Sequence, residues 1–192
     1  MNLENSSIIS FFKKRKGLIQ KEIAFLNEIF VSKQCYSKQS LIKKGEVCRY
    51  IYFIEKGVLK TCFIDNDAKE FINGIAIENN FCTSVASFIN QVPSTEDIIA
   101  VEDSTVLAIS YENYKILIEK YPIYKDLYIK ILEDYLTFMT WRIESVSLMS
   151  AQEKYQTLMR IFPKLFLRVS NNDMAKYLGI TPETLSRIKS KK

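Results

Sequence analysis

The stretch Ser170–Lys192, SNNDMAKYLGITPETLSRIKSKK, decides how this chain is read. Two short helical patterns meet at Gly179. Counting Asn171 as position one of a twenty-residue unit, Ala175 stands at position five, where two crossing helices leave no room for a large side chain. Gly179 stands at position nine, where the connecting turn needs a positive φ. Leu185 and Ile188 fall on the inward face of the second helix, and Met174, Leu178 and Ile180 fill the other positions that need burial. The caps agree. Ser170 and Asp173 suit the start of the first helix and Thr181 the start of the second. Pro182 occupies its first turn, where a missing N–H costs nothing. The pattern is that of a helix-turn-helix.

The outward face of the second helix carries Glu183 and Arg187, four residues apart and therefore projecting together. An arginine fork can take a guanine edge, and a glutamate can accept from the cytosine amino group. The alternative is a surface ion pair worth about a few tenths of a kcal/mol. On the second helix of a helix-turn-helix, base contact is the expectation. The candidate DNA contacts are Thr181, Glu183, Thr184, Ser186, Arg187, Ser190 and Lys191, with Lys189 and Lys192 as further phosphate partners.

The charge follows the same division. From Lys154 onward nine basic residues face two acids, Asp173 and Glu183, so this stretch is net +7; the rest of a chain whose total is +5 is net −2. A basic end on a mildly acidic body suits a module that binds a polyanion, although a solvated basic surface has the same balance.

Further upstream, Ser150 and Glu153 have the spacing of a capping box and mark the start of a helix. Before them, residues 123–149 run without Gly or Pro. Tyr128, Leu132, Tyr135, Met139, Ile143 and Val146 recur at steps of four, three, four, four and three, an apolar stripe on one helix face. Such a stripe packs on its own domain or pairs with its copy. A helix this long spans about 40 Å, more than a small domain needs to cover its face, so these six residues are the expected interface of a homodimer.

Residues 18–31 have the spacing of an amphipathic helix. From about 35 to 110 the texture changes to short runs rich in β-branched and aromatic residues: Tyr50–Ile54, Val58–Ile64, Phe71–Ile77, Ile98–Val101 and Thr105–Ser110. Lys44-Gly45-Glu46, Lys56-Gly57 and Asp65-Asn66-Asp67 punctuate them as turns. This predicts an all-β roll or barrel. Residues 111–120 then read as a short helix that stops before Pro122.

Composition narrows the function. Apolar residues make up 47% and charged residues 26%, so the chain should fold as an ordinary globular protein. No apolar run approaches the roughly 20 residues that span a bilayer. Lys13-Lys14-Arg15-Lys16 precedes no apolar segment with a cleavage site, so a cytoplasmic protein without a membrane partner is expected. Histidine is absent, which removes the commonest general base and metal ligand. No catalytic grouping stands in its place, so neither an enzyme nor a metal site is expected. Cys35, Cys48, Cys62 and Cys82 show no C-x-x-C spacing and read as small core residues.

Taken with Gly45-Glu46, the run Tyr52-Phe53-Ile54-Glu55-Lys56-Gly57 resembles the cyclic-nucleotide-binding fold. With the long helix and Thr181-Pro182-Glu183-Thr184-Leu185-Ser186-Arg187 after it, the chain is similar to the Crp–Fnr family of transcription regulators from about residue 18 onward. The resemblance implies an α+β chain in three parts: a double-stranded β-roll with flanking helices over 1–122, a dimerisation helix over 123–149 and a helix-turn-helix domain over 150–192. It also implies a homodimer that places recognition helices in successive major grooves of double-stranded DNA, with RNA polymerase as a candidate partner. In cyclic-AMP-responsive members an Arg-Glu pair opens the recognition helix and a second Arg follows. Glu183 and Arg187 fill the last two places, and Pro182 stands where the first Arg would be.

The ligand cassette departs from the family. Its Gly-Glu pair is replaced by Cys82-Thr83, and its Arg by Ser94, followed by Thr95, Glu96 and Asp97. Cys82, Thr83, Ser94 and Thr95 are the ligand-pocket candidates, with Lys43, Lys44 and Lys60 as other sources of positive charge. Cyclic AMP is not expected to bind in the usual mode, no resident cofactor is expected, and the effector stays open. Nor do the cysteines match those that hold an iron–sulfur cluster in the redox-sensing branch. A competing reading is a ligand- or redox-sensing roll that acts through protein contacts, with a vestigial DNA-binding domain.

Overall fold

The computed structural model describes residues 6–15, 17–65 and 70–190. Asn66 and Asp67 of one expected turn, and the candidate contact Lys191 with Lys192, lie outside the described residues. Two helices come first, α1 (Ser7–Arg15) and α2 (Gln20–Ile29). The strands are β1 (Phe30–Cys35), β2 (Ser40–Ile42), β3 (Tyr50–Lys56), β4 (Leu59–Ile64), β5 (Glu70–Ala76), β6 (Phe81–Cys82), β7 (Asp97–Ala100) and β8 (Ser104–Ser110), with helix α3 (Val85–Asn90) between the sixth and seventh. They form two four-stranded sheets, ordered β1-β8-β3-β6 and β2-β7-β4-β5. First pairs with eighth and second with seventh, the nested wrapping of a double-stranded β-roll. Helices α4 (Tyr111–Lys120), α5 (Pro122–Leu148) and α6 (Ala151–Ile161) follow, then a 3₁₀ turn at Pro163–Leu167, then α7 (Asn171–Leu178) and α8 (Pro182–Ser190). This is the α+β order expected from the sequence.

The chain divides into two compact units. One holds the roll up to Phe63 together with Gly74–Leu127; the other holds Ile64–Asn73 and everything from Tyr128.

Several boundaries differ from the sequence reading. The helix expected over 18–31 ends at Ile29, because Phe30 pairs with Ile109 and Val31 with Ala108 at the edge of a sheet. Ladder hydrogen bonds and the burial of Phe30 outweigh a helical spacing that continues only two residues further. The helix expected from 123 begins one residue earlier, with Pro122 as its first residue. Sequence reading also passed over α1, although Ile8, Ile9, Phe11 and Phe12 are all buried. Phe11 packs edge-on against Phe53 and Phe81, with ring centroids 5.5 and 5.3 Å apart.

The Lys56-Gly57 turn is closely packed. Gly57 has φ +111°, and a Cβ there would overlap the Ser104 side chain and lie 2.7 Å from the Ser104 Cα. Ser104 cannot retreat freely, since its hydroxyl accepts from Val58 N at 3.2 Å and donates to the Glu102 carbonyl at 2.7 Å. Gly57→Ala should therefore destabilise the protein by about 3 kcal/mol or more, combining backbone strain with overpacking. Urea unfolding measures this; a loss under about 1 kcal/mol would contradict the packing described.

Candidate nucleic-acid interface

The C-terminal helices form by the chemistry their sequence advertises. Ser150 Oγ accepts from Glu153 N at 3.3 Å, and the Glu153 carboxylate accepts from Ser150 N at 2.8 Å, so the capping box opens α6. Ser170 Oγ accepts from Asp173 N at 3.0 Å and opens α7. Gly179 takes φ +67° at its end, and Ile180 N donates back to the Ala175 carbonyl at 3.0 Å, closing the helix around the glycine. Thr181 Oγ1 accepts from Thr184 N at 3.2 Å and opens α8. Met174, Ala175, Leu178, Leu185 and Ile188 are buried between these helices, whereas Ile180 is half-buried.

Burial of that face leaves the opposite face of α8 bare. Pro182, Glu183, Ser186, Arg187 and Ser190 are all exposed and line one open concave surface. Among the described residues no ion pair joins Glu183 to Arg187, so the guanidinium faces solvent. The Glu183 carboxyl is held below its usual pKa by its own backbone N–H and then by the Thr181 hydroxyl, which keeps it an ionised acceptor. Thr181 is exposed and Thr184 half-buried, and the hydroxyls of both are engaged in the cap. Ser190 Oγ donates to the Arg187 carbonyl at 3.0 Å.

The basic residues are not equivalent. Lys189, expected at a phosphate, turns back to Asn171 Oδ1 and over the Phe166 ring. Lys176 Nζ lies 2.6 Å from Glu70 Oε2, within the same compact unit. Beside it, Tyr177 is 2% exposed and its ring lies 4.2 Å from the Arg142 guanidinium carbon. Burial lowers the Arg142 pKa and pushes Tyr177 up to about 12, so the pair remains a cation over a neutral ring near neutrality. A desolvated contact of this kind is worth about 2 kcal/mol. Sequence reading did not single out either residue.

Along α5, Ile129, Leu136, Ile143 and Val146 are 45%, 63%, 70% and 56% exposed, with Leu132 and Met139 half-buried between them. These six recur at steps of three and four in strict alternation, the a and d positions of a heptad. Tyr128, half-buried, and Tyr135, at the threshold of exposure, fall at flanking g positions. The expected stripe therefore shares Leu132, Met139, Ile143 and Val146 with the bare seam; Ile129 and Leu136 were missed. The strict three-four alternation was the signal that could have found them.

In the roll, two of the four pocket candidates, Ser94 and Thr83, have hydroxyls already engaged within the protein. Ser94, 3% exposed, lies 2.9 Å from Ser84 Oγ, donates to the Glu96 carbonyl at 2.7 Å and accepts from Glu96 N at 3.2 Å. Thr83 Oγ1 donates to the Tyr50 carbonyl at 2.9 Å and sits 3.4 Å from Cys48 Sγ. Cys82 is buried; burial first, then the nearby Glu96, raises its thiol pKa. Thr95 is exposed, as are Lys43 and Lys44, while Lys60 is largely buried. All four cysteines are buried and unbridged. Among the described residues no group of three or more His, Cys, Asp or Glu side chains could hold a metal ion, and no helix is long and apolar enough to cross a membrane.

Two family models match, in the order seen in the fold: the cyclic nucleotide-binding domain over residues 33–121, and bacterial regulatory proteins, crp family, over residues 167–190. The chain is 27% identical over 183 residues to the fumarate and nitrate reduction regulatory protein of Vibrio cholerae, covering 89% of this chain and 72% of that protein. It is 26% identical over 183 residues to the anaerobic regulatory protein of Pasteurella multocida, covering 89% and 66%. In structure it resembles FixK2 from Bradyrhizobium japonicum, with a TM-score of 0.77 at 15% identity over 85% of this chain and 84% of that one. It also resembles the c-di-GMP responsive global regulator CLP of Xanthomonas campestris, with a TM-score of 0.69 at 16% identity over 90% and 91%. Roll, long helix and helix-turn-helix agree with these matches in kind and in order: the chain belongs to the Crp–Fnr family of DNA-binding transcription regulators.

Proposed function

We propose that the protein acts as a homodimer, paired through α5, that reads a two-fold symmetric operator with the bare face of α8. One observation carries this reading: α5 leaves a heptad seam exposed beside a helix-turn-helix whose outward face carries a glutamate and an arginine without an ion pair between them. A period of 3.5 residues keeps facing one partner only if two such helices supercoil, so the occupant of the seam is a second copy. The dimer's two-fold axis demands a pseudo-palindromic site with half-sites one helical turn, or a multiple of it, apart. Arg187 favours a guanine and Glu183 a cytosine within each half-site. The site of action is the cytoplasm, RNA polymerase is the partner through which occupancy becomes regulation, and the protein works by binding, without catalysis. Fluorescence anisotropy at several salt concentrations tests the DNA reading. Affinity should fall steeply as salt rises, because phosphate contacts release counterions; salt-independent binding, or none, would contradict it.

The roll does not take cyclic AMP in the family's usual mode. A cyclic phosphate is an anion, and burying it without a cationic partner costs several kcal/mol, about a thousandfold or more in affinity. The place of the arginine is held by Ser94, whose hydroxyl already bonds inside the protein, with buried Glu96 beside it. Thiol redox sensing is disfavoured as well, since burial raises the pKa values of Cys35 and Cys82 and keeps the reactive thiolate scarce. Titration calorimetry with cyclic AMP should show no saturable binding at micromolar concentrations. A low-micromolar dissociation constant that is lost in Ser94→Ala or Thr95→Ala would overturn this reading.

A further inference from the structure

Arg142 and Tyr177 join two parts of the DNA-binding machinery whose mutual angle determines which operators fit. Arg142 lies on the last turns of α5, at the g position immediately before Ile143 of the bare seam. Its guanidinium does not face solvent; it stacks 4.2 Å from the ring centroid of Tyr177, a buried residue on the first helix of the helix-turn-helix. Neighbouring residues on a helix point about 100° apart. One step along α5 thus turns from the face that meets the second copy to the face that holds the DNA-binding helices.

The same end of α5 is held by α6. Lys154, 8% exposed, donates through Nζ to the Val146 carbonyl at 3.4 Å, and Ser145, 2% exposed, donates to the Arg142 carbonyl at 2.8 Å. The first of these joins α6 to the end of α5; the second lies within α5 and ties Ser145 to the turn that carries Arg142. Arg142 on Tyr177 is a side-chain contact that carries α5 directly to α7, and α7 packs against α8.

We infer that Arg142 is a positioning residue for DNA binding: by stacking on Tyr177 it sets the angle of the helix-turn-helix about α5, and so the half-site spacing that the dimer accepts. The inference rests on the dimeric reading above. A planar guanidinium suits this role better than an ammonium, because it stacks on a ring face while the lysine head is a strongly hydrated point charge.

The test uses the full chain and a set of operators selected from random DNA, then rebuilt with spacers one or two base pairs shorter or longer. Wild type should show a sharp optimum. Arg142→Ala should bind the optimal spacing about 10- to 30-fold more weakly, the loss expected from a desolvated cation–π contact, while losing less than about threefold at the altered spacings. The profile flattens. Tyr177→Phe, which keeps the ring, should retain the wild-type profile, and Arg142→Lys should fall between wild type and alanine. Equal loss at every spacing would mean that Arg142 only stabilises the fold, and would overturn the inference. So would an unchanged profile. If the alanine variant does not fold, Arg142→Lys decides: a profile identical to wild type overturns the inference. A wild type with no preferred spacing would instead refute the dimeric reading itself, and the inference with it.

Discussion

Replacing Leu136 and Ile143 together with glutamate should convert the protein to a monomer. Both are among the most exposed residues of α5, at 63% and 70%, and both occupy a positions of the seam. In a two-stranded coil each meets its own copy or its near neighbours, so the double variant puts four carboxylates into one apolar interface. Burying a large aliphatic side chain contributes about 1.5–3 kcal/mol, and burying an unpaired charge costs several kcal/mol. The dissociation constant should therefore rise by about three orders of magnitude or more. Sedimentation velocity at micromolar concentration reads this directly, with circular dichroism to check that the helices persist. Tyr135→Glu, at a flanking g position, should weaken the dimer far less. A double variant that sediments like wild type would remove α5 as the dimer contact.

The second large effect lies on α8. Arg187→Ala should cost about 1–3 kcal/mol on the selected operator and relax the preference at one base pair per half-site. Glu183→Ala should do the same at a different base pair, with little loss on random DNA, since it removes negative charge from the interface. Competition anisotropy with matched specific and random duplexes separates the two contributions. Equal losses on both duplexes would mean that these residues do not read bases.

The helix-turn-helix was legible because its signals are local and chemically distinct. Ser170, Gly179 and Thr181 each act within three or four residues of themselves, so their spacing survives into the structure as hydrogen bonds and one positive φ. The capping box of Ser150 and Glu153 was legible for the same reason. Short roll elements were not. Ser40–Ile42 and Phe81–Cys82 pair with strands far away in sequence, and two or three residues carry no periodicity of their own. The edge strand Phe30–Cys35 was hidden because its first two residues continue the spacing of the preceding helix.

The bare seam of α5 was half legible. An apolar stripe can be followed at 3.6 residues per turn or at 3.5, and the two diverge by about 20° per heptad. Tracking the first leads through Tyr128 and Tyr135; exposure in the structure follows the second, through Ile129 and Leu136. The contact of Lys189 with Asn171 was hidden for a different reason. The lysine's charge is visible in the sequence, but Asn171 lies eighteen residues earlier and meets it only after the helix pair has folded. Arg142 was hidden likewise, because Tyr177 is distant in sequence and nothing in either local pattern marks the contact.

In the proposed dimer, two copies of α8 read a symmetric operator. Selection of bound sequences from a random DNA pool tests it most directly, with wild type and Arg187→Ala selected in parallel. Wild type should enrich an inverted repeat whose half-site centres are about 10–10.5 base pairs apart, or a multiple of that, each half carrying an invariant G·C pair. Arg187→Ala should enrich the same repeat with that pair relaxed. Failure of wild type to enrich any sequence, or enrichment of a single unrepeated site whose preference is unchanged in Arg187→Ala, would contradict it.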